Sequence, residues 1–485
     1  MRLLYVDIDT LRPDHLGCYG YARRTSPNID ALARDAIVFE NVHASDVPCL
    51  PSRSALLTGR FGIHNGVVNH GGTDADPTID GAERGFWSRL QLDSFPSRLK
   101  RAGLHTVSIS SFAQRHSAFH WYAGLDEAYD VGGYGMEVAD DVHSIASDWL
   151  ARRGREDDWY LHLHVWDPHT PYRAPARWGE PFADAALPAW LTENVREAHW
   201  RGCGPHSAQE ANGYAPKPEA AARYPRQPQQ IPDMAAVRRM FDGYDTGVLV
   251  ADDFVGRILH QLADIGVLDE TIVMISSDHG ETLGELNVYG DHQTADQFTT
   301  RVPLILRWPG MGAGTRLSAF HYQIDVTATL LELLGQRVPS RWDGRSFAPE
   351  LREGVDSGRQ YLVLSQAAWA CQRGVRFEDW MYIATRHDAY HLYPQEMLFN
   401  LADDPHQQHD LSTSQDVALA RGRGLLRSWL DEQLAGDGRD PHDNVMREGG
   451  PFHVRGQLPA YADRLRGTGR GALADVLLSR QAPHA

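Results

Sequence analysis

The stretch Thr271-Ile272-Val273-Met274-Ile275-Ser276-Ser277-Asp278-His279-Gly280 runs from unbroken apolar residues straight into an acid and an imidazole. An apolar run of this length, rich in β-branched residues, reads as a buried strand whose carboxyl end carries the polar groups. The chain opens in the same way: residues 3–8 are mostly apolar, carry Asp7 and are closed by Asp9. Residues 104–109, 159–165 and 302–307 read as further strands, the last stopped by Trp308-Pro309-Gly310. Helices fall between them, at 29–36, 234–262 and 323–334. The longest places Val237, Met240, Phe241, Tyr244, Val248, Phe254, Ile258 and Leu262 on one face. Strands alternating with helices predict an α/β sheet with helices on both faces.

Two regions depart from this alternation. Residues 174–232 are rich in Pro, Ala and polar residues with little periodicity, and read either as a substrate lid or as a surface excursion. The large α/β domain is assigned to 1–345, and 346–485 to a smaller C-terminal subdomain with a tail. Strands are expected there at 360–364 and 380–385, a hairpin at 390–400 and a helix at 414–434.

The 485 residues are 42% hydrophobic and 23% charged, which describes a globular chain able to bury a large core. The net charge of -17 opposes binding to nucleic acid or to an anionic membrane, while leaving room for a small anionic substrate in a locally positive pocket. The cysteines Cys18, Cys49, Cys203 and Cys371 are scattered, so neither a disulfide framework nor structural zinc is expected. No apolar window reaches membrane-spanning length. Residues 1–7 read as a strand and not as a signal peptide, so a cytoplasmic enzyme is expected. Whether it forms a homo-oligomer stays open.

The most informative run is Cys49-Leu50-Pro51-Ser52-Arg53-Ser54-Ala55-Leu56-Leu57-Thr58-Gly59-Arg60. Pro51 suits the first turn of a helix. Cys49 then sits at the helix N-terminus with Arg53 one turn along on the same side, and both features favour an anion. Cys-x-Pro-Ser-Arg followed by Leu-Thr-Gly-Arg resembles the signature of the type I sulfatases. The resemblance extends to Asp7-Ile8-Asp9-Thr10-Leu11-Arg12-Pro13-Asp14-His15, to Thr25-Ser26-Pro27-Asn28, to Arg301-Val302-Pro303 with Trp308-Pro309-Gly310, and to Leu398-Phe399-Asn400 with Asp403-Asp404-Pro405. It implies the alkaline-phosphatase-type fold, a large mixed sheet with a smaller antiparallel sheet behind it. It also implies a formylglycine made from Cys49 by a formylglycine-generating enzyme.

Asp7, Asp9, Asp278 and His279 end two strands, and alternation puts Asp7 and Asp9 on one face. Ligands of open α/β sheets gather at such ends. Several carboxylates around one point call for a divalent metal, with Cys49 as a further ligand. By the resemblance Asp9 is the first acid of the family's Asp-Asp pair, but Thr10 follows it. Asp7 either compensates or is simply hydrogen-bonded at its strand end. Asp278-His279 stands where Asp-Asn is usual. Oxygen ligands favour calcium or magnesium, whereas the imidazole admits manganese or zinc; calcium is taken first.

His169 in His169-Thr170-Pro171-Tyr172 is similar to the family histidine that serves the leaving group, and His292 stands where a sulfate-binding lysine is frequent. His164 reads as structural. The family's Gly-Lys-Trp-His is replaced by Ser110-Ser111-Phe112-Ala113-Gln114-Arg115-His116, so Arg115 and His116 are candidates for its charge and proton duties. His70 either reaches substrate or belongs to the turn at Gly71-Gly72. Trp87, Trp121, Trp178 and Trp200 are candidates to stack on a sugar or are packing residues.

The expected reaction is hydrolysis of a sulfate ester, on a carbohydrate by the breadth of the family. Three alternatives remain: a phosphonate monoester or phosphodiester hydrolase with the same site, a Cys/His hydrolase using a Cys49 thiolate, and a non-catalytic binder of sulfated glycans.

Overall fold

A computed structural model describes residues 1–78, 89–436 and 438–481. Its large sheet orders eight strands as Arg316–Tyr322, Ile37–His43, Arg301–Arg307, Thr271–Ser276, Arg2–Ile8, Trp159–Val165, His105–Ile109 and Glu127–Tyr129. Arg301–Arg307 runs antiparallel to both neighbours, and the remaining pairings of this sheet are parallel. This is the α/β sheet expected from the alternation, mixed as the resemblance implied.

Alternation along the first strand divides the core. Leu4, Val6 and Ile8 join a cluster under the helices Ala139–Arg153 and Met234–Asp264. Leu3 and Tyr5 join another, with Leu99 of Phe95–Arg101 and Leu330 of Gln323–Leu333. Asp7 and Asp9 share the parity of Leu3 and Tyr5. The strand Trp159–Val165 splits likewise, so His162 and His164 face the same way as the two acids.

A five-stranded sheet orders Glu396–Asn400, Trp380–His387, Cys371–Phe377, Tyr361–Gln366 and Asp46–Val47. Its pairings are antiparallel except the last, where Tyr361–Gln366 takes Asp46–Val47 as a parallel edge. Thus a strand from the N-terminal part completes the small sheet just before Cys49. The helix Asp416–Gln433 covers this sheet with Leu419, Leu426 and Trp429.

The reading of 390–400 as a hairpin needs correction. Only Glu396–Asn400 is a strand, and its partner is Trp380–His387. Ala389, Tyr390 and Leu392 take positive φ values of 51°, 69° and 62°, which end a ladder. Among the described residues seven strands were unforeseen: Ile37–His43, Asp46–Val47, Glu127–Tyr129, Thr282–Leu283, Tyr289–Asp291, Arg316–Tyr322 and Cys371–Phe377. Residues 174–232 include the helices Glu193–Trp200 and Pro218–Arg223. The C-terminal residues form Pro441–Arg447, Leu458–Gly467 and Gly471–Gln481, and Val454, Tyr461 and Leu465 pack with Tyr390 and Cys203. No helix among the described residues is long and apolar enough to cross a membrane.

Candidate active site

The strands Arg2–Ile8 and Thr271–Ser276 are parallel neighbours, so their carboxyl ends coincide. Immediately beyond Asp9 the chain turns at Thr10, whose φ is 57°. Thr10 N donates to Asp278 Oδ1 at 3.3 Å and Leu11 N to Ser277 Oγ at 2.9 Å, tying the two strand ends together.

The edge strand Asp46–Val47 delivers the chain into the helix Cys49–Thr58, with Pro51 in its first turn. Cys49 is buried, and its Sγ lies 3.1 Å from His279 Nε2. One turn on, the fully buried Arg53 donates from Nε to Asp7 Oδ2 at 2.9 Å. Its Nη1 donates to Asp9 Oδ2 at 3.0 Å and to Asp278 Oδ2 at 2.6 Å. Both acids therefore lie on one face, as alternation requires.

The donor atoms of Asp9, Cys49, Asp278 and His279 all lie within 4.8 Å of one another, and Cys49, His279 and His292 form an overlapping group. Asp7 is outside both; it binds Arg53 and lies 3.4 Å from His162 Nε2. His279 Nδ1 donates to the Gly280 carbonyl at 2.8 Å, which leaves the Nε2 lone pair toward the donor group. Three buried carboxylates face a single guanidinium, and Asp9 Oδ1 is buried without a hydrogen-bond partner. Burial pushes the Asp278 carboxyl up, Asp9 and Asp7 add to this, and Arg53 opposes it; the group stays well above the usual carboxylate range. At Asp9 burial is outweighed by Arg53 and His164, which hold it well below that range. An orphaned carboxylate oxygen, an imidazole lone pair and a deficit of positive charge fit a divalent cation. Thr10 Oγ1, next to Asp9, is buried and unpaired.

Burial, then the Asp9 and Asp278 carboxylates, push the Cys49 thiol well above its ordinary value, against Arg53 and Arg115.

The other anticipated residues surround this centre. The His292 ring is 4.2 Å from His279 and 5.5 Å from His169. His169 Nδ1 binds the Thr170 carbonyl. Burial pushes His292 down to about 3, with His279 adding to the effect, and pushes His169 well below the usual histidine range. The Arg115 guanidinium stacks on Trp166 at 4.8 Å. His116 is 5.0 Å from His70.

Several neighbours were not anticipated. His164, read as structural, approaches Asp9 Oδ2 at 3.2 Å, and strand alternation was the signal that could have found it. His206 pairs with Asp291 at 2.8 Å, and His453 meets His70 at 3.0 Å. Both sit in segments without periodicity, where no local signal marks them. Of the tryptophans singled out, Trp121 is buried against Phe112, and Trp178 and Trp200 pack on the main core. Trp87 lies outside the described residues.

Comparison with known proteins finds sulfatases. An "Ulvan-active sulfatase" of Formosa agariphila is 24% identical over 466 residues, covering 89% of this chain and 81% of that one. An "N-acetylglucosamine-6-O-sulfatase" of Bacteroides thetaiotaomicron is 25% identical over 413 residues, covering 72% and 70%. A solved structure described as in complex with its substrate D-glucosamine-2-N,6-O-disulfate superposes with a TM-score of 0.70 at 21% identity, covering 90% of this chain and 99% of that one. The family profile described as Sulfatase matches residues 2–336, and the chain belongs to this family of sulfuric ester hydrolases.

Proposed function

We propose that the protein hydrolyses a sulfate ester of a carbohydrate with a formylglycine made from Cys49 and one divalent cation. The observation that carries this is the convergence of Cys49, Asp9, Asp278 and His279 within 4.8 Å, with Arg53 beneath the acids. Asp9, Asp278 and His279 would hold the cation together with the side chain at position 49; calcium suits the oxygens, while the imidazole also admits manganese, magnesium or zinc. The hydrated aldehyde supplies a hydroxyl nucleophile, and the cation supplies positive charge against the sulfate oxygens.

The protein's own groups do the rest. Arg53 fixes the carboxylates and adds charge beside the nucleophile. Asp278, beside position 49, accepts the hydroxyl proton. As the hydroxyl oxygen bonds to sulfur and the sulfur–oxygen ester bond breaks, His169, protonated once the anionic sulfate ester offsets its burial, passes a proton to the leaving alcohol. Its Nδ1 is occupied by the Thr170 carbonyl, so Nε2 is the transferring atom. His292 donates to a sulfate oxygen. Arg115 adds charge, and His116 assists regeneration of the aldehyde, with His70 on the substrate side. Residues 1–345 form the catalytic unit, 346–485 the smaller subdomain, and 174–232 a substrate-facing segment. Relatives named for ulvan and for N-acetylglucosamine-6-O-sulfate support a sugar substrate.

Mass analysis of the peptide carrying position 49, from a host with the maturing enzyme, tests the nucleophile. An aldehyde in place of the thiol is expected. Fully active protein with an unmodified thiol would overturn the proposal.

His279 favours a second reading, because an imidazole among the ligands also suits phosphonate monoester or phosphodiester hydrolysis. Turnover of a phosphonate monoester well above that of every sulfate ester would establish it instead.

A further inference from the structure

Beyond His292 the site continues into groups that the sulfur chemistry does not use. Asp291 is buried; its Oδ1 lies 3.6 Å from His292 Nε2 and its Oδ2 2.8 Å from His206 Nε2. The other nitrogen of His206, Nδ1, is buried with no hydrogen-bond partner, as are His70 Nε2 and His292 Nδ1. Trp369 closes the same region. His453 stacks on its indole at 4.5 Å and 22°, and His206 meets it edge-on at 5.6 Å and 79°. Tyr214 holds this corner by donating its hydroxyl to the His453 carbonyl at 2.9 Å. Trp369 and the His206 side chain are only partly buried, with His206 at 12% exposure, so this wall meets solvent.

The segments that build the wall come from separate places. His206 and Tyr214 lie in the irregular stretch 174–232, whereas Trp369 and His453 lie beyond residue 336, where the sulfatase profile ends. The centre holding Cys49 lies wholly within the matched span. Trp369 and His453 thus join the wall from outside the matched span, whereas His70, His206 and Tyr214 lie within it.

An indole beside several imidazole nitrogens suits one class of alcohol. The C–H face of a saturated ring packs on an aromatic surface, and ring hydroxyls can both donate to and accept from imidazoles. A simple alkyl or aryl alcohol would use the indole but leave the buried nitrogens unpaired, which is unfavourable. We propose that Trp369, His206 and the His70–His453 pair form the subsite that receives the sugar ring bearing the sulfate, an inference that rests on the carbohydrate sulfatase reading above.

The test compares wild type, Trp369→Ala and Trp369→Phe on sulfated mono- and disaccharides and on nitrophenyl sulfate, with circular dichroism to confirm folding. For Trp369→Ala kcat/KM on the sugar sulfates is expected to fall by about a hundredfold, mainly through KM. Turnover of nitrophenyl sulfate is expected to stay within about threefold of wild type, and Trp369→Phe to recover most of the loss. Equal losses on both substrates in folded variants, or no loss on either, would overturn the subsite while leaving the sulfatase reading intact. Wild-type protein that cleaves nitrophenyl sulfate but no sulfated sugar would overturn both the subsite and the carbohydrate assignment.

Discussion

Arg53 Nε donates to Asp7 Oδ2 at 2.9 Å, so Asp7 grips the arginine from outside the metal-donor group. The acid at the end of the first strand thus positions the guanidinium that Asp9 and Asp278 share. Asp7→Asn is expected to keep its divalent metal but to lose about ten- to a hundredfold in kcat. Asp9→Asn and His279→Ala are expected to lose the metal itself. Elemental analysis beside steady-state kinetics separates the two, and loss of metal from Asp7→Asn would place Asp7 among the ligands.

Replacing Cys49 tests the nucleophile without disturbing its supports. The side chain is small and buried, and Arg53 keeps its three acids in Cys49→Ala. Turnover is expected to fall by about a thousandfold or more with little change in thermal stability. Matured wild-type protein is also expected to resist alkylating reagents at this position, which peptide mapping after iodoacetamide would check.

His169 and His292 are expected to differ in their dependence on the leaving group. A proton donor matters most when the departing alcohol is a poor leaving group. His169→Ala should lose about a hundredfold or more on an alkyl or sugar sulfate, and much less on nitrophenyl sulfate. His292→Ala should lose similar factors on both, because a sulfate oxygen is common to all substrates. A plot of log kcat against leaving-group pKa should steepen for His169→Ala alone.

Acid stability should report the Arg12–Glu285 pair, which crosses from the first strand's loop to the segment after Asp278. Arg12 Nη2 reaches Glu285 Oε1 at 3.0 Å, and both side chains are buried. Burial raises the Glu285 carboxyl, but Arg12 and His406 outweigh it and hold the group at about 2. Its folded-state value lies below its unfolded one, so the pair's contribution is full above about pH 4.5. That contribution is lost as the pH falls toward about 2. Glu285→Gln should therefore be less stable than wild type at pH 7, with the difference shrinking across that window. Denaturant unfolding at several pH values measures it, and a difference independent of pH would exclude the ion pair as its source.

The amino-acid sequence alone determined the alternation of strands and helices, the helix that begins at Cys49, and the acids at two strand ends. Each is a local property: hydrophobic period, a first-turn proline, a carboxylate closing an apolar run. It also showed that Asp7 and Asp9 share a face, since a strand allows nothing else. Tertiary structure alone decided which of these acids binds what. Asp7 and Asp9 both bind Arg53, yet only Asp9 lies with Cys49, Asp278 and His279, because Asp7 sits further back along its strand, level with Ser276 of the neighbouring strand. The same holds for His206, Trp369 and His453, which meet across long sequence separations in stretches without periodicity. Local pattern specifies elements and faces; the contacts between them depend on how the sheets and loops pack.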